Sequence, residues 1–288
     1  MNKDVLHIIK ENMSTYSKGQ KRIAGFILEN YDKAAFMTAS RLGNASHTSE
    51  STVVRFAAEL GYRGYPDMQK ALQELIRGRL TSVQRIEASR NQMIGQDTLD
   101  SVLQRDIASL HETLESVDRD EFYRVVDKLI KAQHIYILGV RSSAFLAGYL
   151  NFYLQWIFTN VTLVENSGGG EIFEQLLHIG PGDILLGISF PRYSKASVNA
   201  VNFAKGHGAD VIAITDSKMS PIYKIATAAL LVSNDMISFV DSMTAPLSLL
   251  NALIVAIGQQ KNEEVSSTFS EMERIWSTYS VFGRVDDE

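Results

Sequence analysis

Short apolar runs alternate with amphipathic stretches along the second half of this chain, and that alternation leaves few folds open. The runs are Ile135–Val140, Val161–Val164, Ile184–Ser189, Val211–Thr215 and Leu230–Val232. Segments with helical spacing lie between them: Ser142 to about Phe158, Ile172–His178, Ser194–Lys205 and Ala245–Gln260, with Glu121–Ala132 ahead of the first run. A strand that is apolar without alternation is buried on both faces, which takes a parallel sheet covered by crossover helices. The turns Gly180-Pro181-Gly182-Asp183 and His207-Gly208-Ala209-Asp210 stand just ahead of two runs, where a helix must end and a strand begin. The expectation is a doubly wound α/β domain with a parallel five-stranded sheet.

The first 80 residues carry no comparable runs and spell short helices. Ile23, Phe26, Ile27 and Asn30 follow a start at Ser17, a second helix spans Thr38 to Ala45, and a third spans Ser49 to Leu60 and stops at Gly61. Gly64-Tyr65-Pro66 reads as a break before a helix from Asp67 to about Arg77. Spaced apolar residues from Thr81 to Val117 (Ile86, Met93, Leu99, Leu103, Leu110, Leu114) suit linker helices, and a tail helix is expected over Phe269 to Trp276. The boundaries expected are therefore 1–77 for an all-α domain, 78–124 for a helical linker, 125–265 for the α/β domain and 266–288 for a helical tail.

Charge divides along the same line. Residues 1–90 hold 14 Lys and Arg against 9 Asp and Glu, a net of +5, whereas residues 91–288 hold 14 against 24, a net of −10. A basic module on an acidic body suits a polyanion-binding part attached to something else. With 45% apolar and 21% charged residues the chain excludes disorder as a global description. It has no cysteine, which excludes disulfides, thiol catalysis and cysteine-bound zinc. No apolar run reaches the length of a membrane span and the first residues lack the apolar stretch of a signal peptide, so no membrane association and a cytoplasmic location are expected. The histidines lack metal-ligand spacing, so neither a metal nor a cofactor is expected.

Thr38 to Leu60 has helix–turn–helix dimensions. Thr48 or Ser49 can cap the second helix, because its hydroxyl accepts one of the orphan N–H groups there. Val53, Phe56, Ala57 and Leu60 form one core-facing stripe at i, i+3, i+4 and i+7. The other face opens with Ser49, Glu50, Ser51 and Thr52 and includes Arg55, short hydroxyls and a guanidinium suited to phosphates and base edges in a major groove. A small helical bundle with a solvated polar face fits the same periodicity.

Ser17-Lys18-Gly19-Gln20-Lys21-Arg22-Ile23-Ala24 through Phe26 to Asn30 resembles the opening helix of RpiR-type transcriptional regulators. Ser49-Glu50-Ser51-Thr52-Val53-Val54-Arg55-Phe56, followed by Leu60-Gly61-Tyr62-Arg63-Gly64-Tyr65, resembles their recognition helix and the turn after it. The resemblance covers about residues 1–77 and implies that Thr38, Thr48, Ser49, Glu50, Ser51, Thr52, Arg55 and Arg63 face operator DNA. His47 stands where the family commonly has glycine, which calls for a left-handed backbone or a different turn.

The α/β part, about residues 125–265, resembles SIS (sugar isomerase) domains, a flavodoxin-like fold. The resemblance implies a phosphosugar bound by loops at the carboxyl ends of parallel strands. The first such loop is Gly139-Val140-Arg141-Ser142-Ser143-Ala144 and the second Ser189-Phe190-Pro191-Arg192-Tyr193-Ser194-Lys195. The family patterns are Gly-x-Gly-x-Ser and Ser-x-Ser-Gly-x-Thr. Arg141 replaces the second glycine of the first; Pro191 and Arg192 replace Ser-Gly in the second, and Ser194 stands for its threonine. The expected ligand set is Gly139, Arg141, Ser142, Ser143, Ser189, Arg192 and Ser194, with the arginines either clamping an anion or plugging its site.

Glu165, Glu171, Glu174 and His178 fit two descriptions, an acid–base set for aldose–ketose isomerisation and a solvated helix face. The run Gly168-Gly169-Gly170 fits a lid or a plain loop. Together the resemblances imply a regulator of a sugar uptake or catabolism operon. It would be a dimer or tetramer, bind double-stranded operator DNA, answer to a phosphorylated sugar, and not be an enzyme. A sugar-phosphate isomerase with a helical extension and a regulator with a vestigial site are the alternatives.

Overall fold

The computed structural model describes residues 5–78, 80–92, 95, 97–165 and 170–282. The described residues form two compact units: those up to Gln104 joined by Met236–Asp241, and Arg105–Asp235 with the residues from Ser242 on.

The first unit is helical: α1 (Val5–Glu11), α2 (Lys18–Glu29), α3 (Tyr31–Ala34), α4 (Ala39–Ala45), α5 (Glu50–Glu59), α6 (Tyr65–Arg77), α7 (Ser82–Gln92) and the start of α8 (Thr98–Ser116). Caps set the starts. Ser17 and Gln20 form a reciprocal capping box on α2, Thr38 caps α4, and Ser49 caps α5. Ile9, Ile23, Ile27, Leu42, Val53, Phe56, Met68, Leu72 and Ile76 meet in one fully buried core. Gly64-Tyr65-Pro66 does not delay the last helix to Asp67, because α6 starts at Tyr65 with Pro66 in its first turn, where no backbone N–H is needed.

Six residues from far along the chain complete this unit. Met236 is buried in its core, and Asp241 takes an ion pair from the buried guanidinium of Arg85. Met236 and Asp241 also form an antiparallel bridge that closes the excursion at its base.

The second unit contains the five expected strands, β1 (Ile135–Gly139), β2 (Val161–Val164), β3 (Ile184–Ile188), β4 (Asp210–Thr215) and β5 (Ala228–Leu231), all parallel in the order β2-β1-β3-β4-β5. Alternate residues serve opposite faces, as the twofold period of a strand requires. Ile135, Ile137, Leu186, Ile188, Ile212 and Ile214 meet α9 (Arg119–Lys131), α10 (Ser143–Leu154) and α13 (Thr244–Gln260). Tyr136, Leu138, Leu185, Val211 and Ala213 meet α11 (Glu171–Gln175) and α12 (Lys195–Gly206) on the other face. The tail helix α14 (Asn262–Thr278) is longer than its apolar residues alone suggest. Met93 of the linker and, of the glycine run, Gly168 and Gly169 lie outside the described residues.

Candidate functional site

In the first unit α4, the turn Ser46-His47-Thr48 and α5 form the helix–turn–helix. The crossing is close at Gly43, where a Cβ would stand 3.1 Å from both the Glu50 nitrogen and the Thr48 oxygen. Thr48 N–H donates to the Gly43 carbonyl at 2.8 Å, and His47 takes φ 53°, so the histidine occupies the left-handed conformation that its glycine-like position demands.

All five of the expected DNA-facing hydroxyls are engaged within this motif, Ser51 Oγ lying 2.9 Å from Ser49 Oγ. Thr38 Oγ1 accepts from Arg41 N–H at 3.3 Å, and Thr48 Oγ1 meets Ser46 Oγ at 3.0 Å. Ser49 Oγ accepts from Thr52 N–H at 3.3 Å and lies 2.8 Å from Thr52 Oγ1. Glu50, Ser51 and Arg55 are exposed along the start of α5, with Arg55 Nε donating to the Ser51 carbonyl at 3.3 Å. Arg63, on the turn before α6, is also exposed and pairs loosely with Asp67 at 3.7 Å.

In the second unit both expected ligand loops leave neighbouring strands at their carboxyl ends, since Gly139 of β1 stands in register with Ile188 of β3. From β1 the chain crosses to β2 on one side and β3 on the other. This is the switch point at which doubly wound sheets open a crevice for ligands. Gly139 admits the first turn of α10, because a Cβ there would lie 2.2 Å from the Ser143 carbonyl oxygen. Ser142 is exposed and makes no cap bond, and Ser143 is buried at the helix start. Ser189 is buried just past β3, its carbonyl held by Thr215 Oγ1 at 2.6 Å, while Ser194 caps α12.

The two arginines share one feature. Arg141 has φ 60° and Arg192 φ 66°, both left-handed, at the two positions where the family pattern has glycine. A non-glycine residue there costs of order 1–2 kcal/mol, so each loop keeps the glycine-like backbone path while carrying an exposed guanidinium.

Four side chains not singled out from sequence join the second loop. Tyr193 Oη donates to Asp216 Oδ1 at 2.9 Å, and Thr215 Oγ1 lies 3.3 Å from the same oxygen. Ser197, in the first turn of α12, is buried with no hydrogen-bond partner for its hydroxyl. Asp216 had a legible signal, because it directly follows the strand run Val211–Thr215 and so stands at a carboxyl end. Glu165, Glu171, Glu174 and His178 are all exposed and share no hydrogen bond with one another among the described residues, the pattern of a solvated surface. Among the described residues no group of acidic or histidine side chains could hold a metal, and no helix is long and apolar enough to cross a membrane.

Family comparison agrees with this architecture. Residues 3–77 match the helix–turn–helix domain of the rpiR family, and residues 128–256 match the SIS domain. A helix–turn–helix-type transcriptional regulator of Caldanaerobacter subterraneus subsp. tengcongensis is 25% identical over 271 residues, covering 91% of this chain and 93% of that one. The Vibrio vulnificus NanR protein, solved in complex with ManNAc-6P, shares the fold at a TM-score of 0.60 and 23% identity, over 97% of this chain and 100% of that one. The sugar isomerase domain of an RpiR transcription factor from Sphaerobacter thermophilus superposes at a TM-score of 0.58 with 26% identity, over 60% of this chain and 97% of that one. With a helix–turn–helix domain of the rpiR family at one end and a SIS domain after it, the chain belongs to the RpiR-type transcriptional regulators.

Proposed function

We propose that this regulator reads an operator of a sugar uptake or catabolism operon with α5, in the cytoplasm and as a homodimer, and senses a phosphorylated sugar at the carboxyl ends of β1 and β3. The observation that carries the sensor reading is the pair of left-handed arginines. A strained backbone position held by a residue that could have been glycine points to a use for its side chain. A phosphate between the loops would meet the Ser143, Ser189 and Ser194 region, the positive starts of α10 and α12, and guanidinium groups able to donate two parallel bonds each. The arginines also offset an acidic surrounding, since residues 91–288 carry a net charge of −10.

A sensing role is preferred to isomerisation because the acidic side chains near the loops face solvent instead of converging on one site. The basic N-terminal part, net +5, supplies the sequence-independent attraction to DNA that brings α5 to its groove.

Calorimetry of wild type and Arg192→Ala, with phosphosugars and the matching unphosphorylated sugars, tests the sensor. Wild type should bind only the phosphorylated forms, and the variant should bind them at least about tenfold more weakly, a loss of about 1.4 kcal/mol. Equal binding by the variant removes the clamp. A wild type that binds nothing while Arg192→Ala opens a site makes the arginines plugs and the pocket vestigial. Operator gel shifts with and without the same sugars then read whether occupancy changes DNA binding.

A further inference from the structure

Arg192 alone is exposed among residues 189–194, and it alone there holds a left-handed backbone, at φ 66°. Ser189, Phe190 and Pro191 ahead of it are buried, and Tyr193 and Ser194 after it are partly buried. A non-glycine residue keeps that conformation only where its surroundings over-determine it. At Arg141 the opening turn of α10 contributes, since the Arg141 carbonyl accepts from Ala144 N–H at 3.0 Å. The second loop has a device of its own, made of side chains.

The loop is tied to the carboxyl end of β4 on each side of Arg192. Ahead of it, Thr215 Oγ1 donates to the Ser189 carbonyl at 2.6 Å, and Ser189 N–H donates to the Ile214 carbonyl at 3.1 Å. After it, Tyr193 Oη donates to Asp216 Oδ1 at 2.9 Å. Thr215 is fully buried and in register with Leu231 of β5, so the anchors stand on consecutive residues of a fixed strand end. Between them Phe190 is packed in the core of the sheet, and the ring of Pro191 fixes its own φ. The turn that closes this short span falls to residue 192.

The chemistry of the second anchor suits holding better than ligand contact. A carboxylate this near an anion-binding loop opposes the ligand through its charge, so what Asp216 contributes lies in the group it grips. A phenol donating to a carboxylate makes a charge-assisted bond, stronger than a bond between neutral groups. Thr215 Oγ1, 3.3 Å from the same Asp216 oxygen, places the two anchors side by side.

We propose that Tyr193 and Asp216 are positioning residues, and that their bond, with Thr215 as the other anchor, staples the second loop so that Arg192 stays in its left-handed turn and presents its guanidinium to the anion. The proposal rests on the sensor reading of this loop and adds the residues that prepare it. A guanidinium fixed before the ligand arrives loses less freedom on binding, which is the gain of preorganisation.

The test is a pair of double-mutant cycles on the full chain, built from Tyr193→Phe and Arg192→Gly. Tyr193→Phe removes one oxygen atom and changes no charge. The first cycle is read by melting temperature and needs no ligand. While the staple stands, glycine at position 192 relieves a backbone that arginine must hold; without the staple, the arginine loop relaxes by itself. Arg192→Gly should therefore shift the melting temperature upward by about 2–4 °C more in wild type than in the Tyr193→Phe background. Asp216→Asn, which keeps an acceptor for the phenol, should preserve that difference, and Asp216→Ala should abolish it. Equal shifts in wild type and in the Tyr193→Phe background overturn the staple, as does an Asp216→Asn background that behaves like Asp216→Ala.

The second cycle is read by calorimetric titration with glucose 6-phosphate and with inorganic phosphate. Tyr193→Phe should weaken binding at least about threefold where Arg192 is present and leave it unchanged in the Arg192→Gly background. Equal losses in both backgrounds mean that the phenol does not act through Arg192, and they refute the positioning role. If wild type binds neither probe, the sensor reading loses its support, and the melting cycle still decides the staple.

Discussion

Arg141 and Arg192 hold left-handed backbone at φ 60° and 66°, and this conformation gives the residue-scale argument an opposed pair of effects. Replacing Arg141 by glycine removes a conformational cost of order 1–2 kcal/mol, part of which returns as extra freedom of the unfolded chain. Arg141→Gly should therefore raise the melting temperature by a few degrees while weakening the binding of anionic sugars. Differential scanning calorimetry together with ligand titration reads both, and a variant that melts lower or binds equally well contradicts the argument. On α5, Ser51→Ala and Arg55→Ala should weaken operator binding without altering the thermal melt, because both side chains lie off the buried stripe of Val53, Phe56 and Ala57. A base contact costs roughly 1–3 kcal/mol and relaxes one position of the site, whereas a phosphate contact weakens all sequences alike and flattens the salt dependence; fluorescence anisotropy at several salt concentrations separates them. At this scale the sequence disclosed the loop residues and the odd arginines through their resemblance to a pattern. It disclosed the cap that Ser49 places on α5, but not that Thr38 caps α4 and Thr48 bonds within the turn, because a cap and a ligand contact use the same residue types.

Elements were the most legible scale. All five strands fall on the apolar runs, and their register follows from burial on both faces, where a slip of one residue would exchange the two cores. The edges shifted where capping or turn chemistry overrode apolar spacing: α6 starts early with Pro66 inside it, and α11 stops at Gln175 instead of His178. α1 escaped because its buried face is only Val5 and Ile9, too little for a periodic signal. Pairings between elements were also beyond reach. Lys128 of α9 donates to Asp210 at the head of β4 at 2.6 Å, and that bond is the chief reason the Asp210 carboxyl titrates below its ordinary range. A depressed carboxylate contributes stability above its unfolded-state pKa and loses it as pH falls through the folded value. Lys128→Met should thus move the midpoint of acid unfolding to higher pH and cost well under about 1 kcal/mol at neutrality, since Asp210 is 40% exposed. Circular dichroism during acid titration checks the shift, and an unchanged acid midpoint would show that the pair contributes nothing.

For the whole molecule, a basic N-terminal part and an acidic remainder were visible in the charge count, and the helix–turn–helix and SIS domains followed from motif and periodicity. The excursion Met236–Asp241 was not visible. Nothing in the local pattern of a loop after β5 says that its residues complete the core of a unit begun at the other end of the chain. Asp241→Asn should reveal its importance, because it leaves the buried Arg85 charge without a counter-ion, a change that typically costs 3–5 kcal/mol. The helical unit of that variant should melt well below wild type in a calorimetric scan, and an unaltered transition would mean that the ion pair is dispensable.

The same excursion sets a timetable for synthesis. A ribosome moving at about 5–20 residues per second needs roughly 7–26 s to travel from Gln104 to Met236. Throughout that interval the nascent helical unit has Arg85 unneutralised and a vacancy where Met236 belongs. A chain aborted before Met236 therefore carries a helix–turn–helix unit whose core lacks one of its buried side chains. The helical unit is complete only after all five strands have been made, so a fragment terminated earlier should melt below the same unit in the full chain.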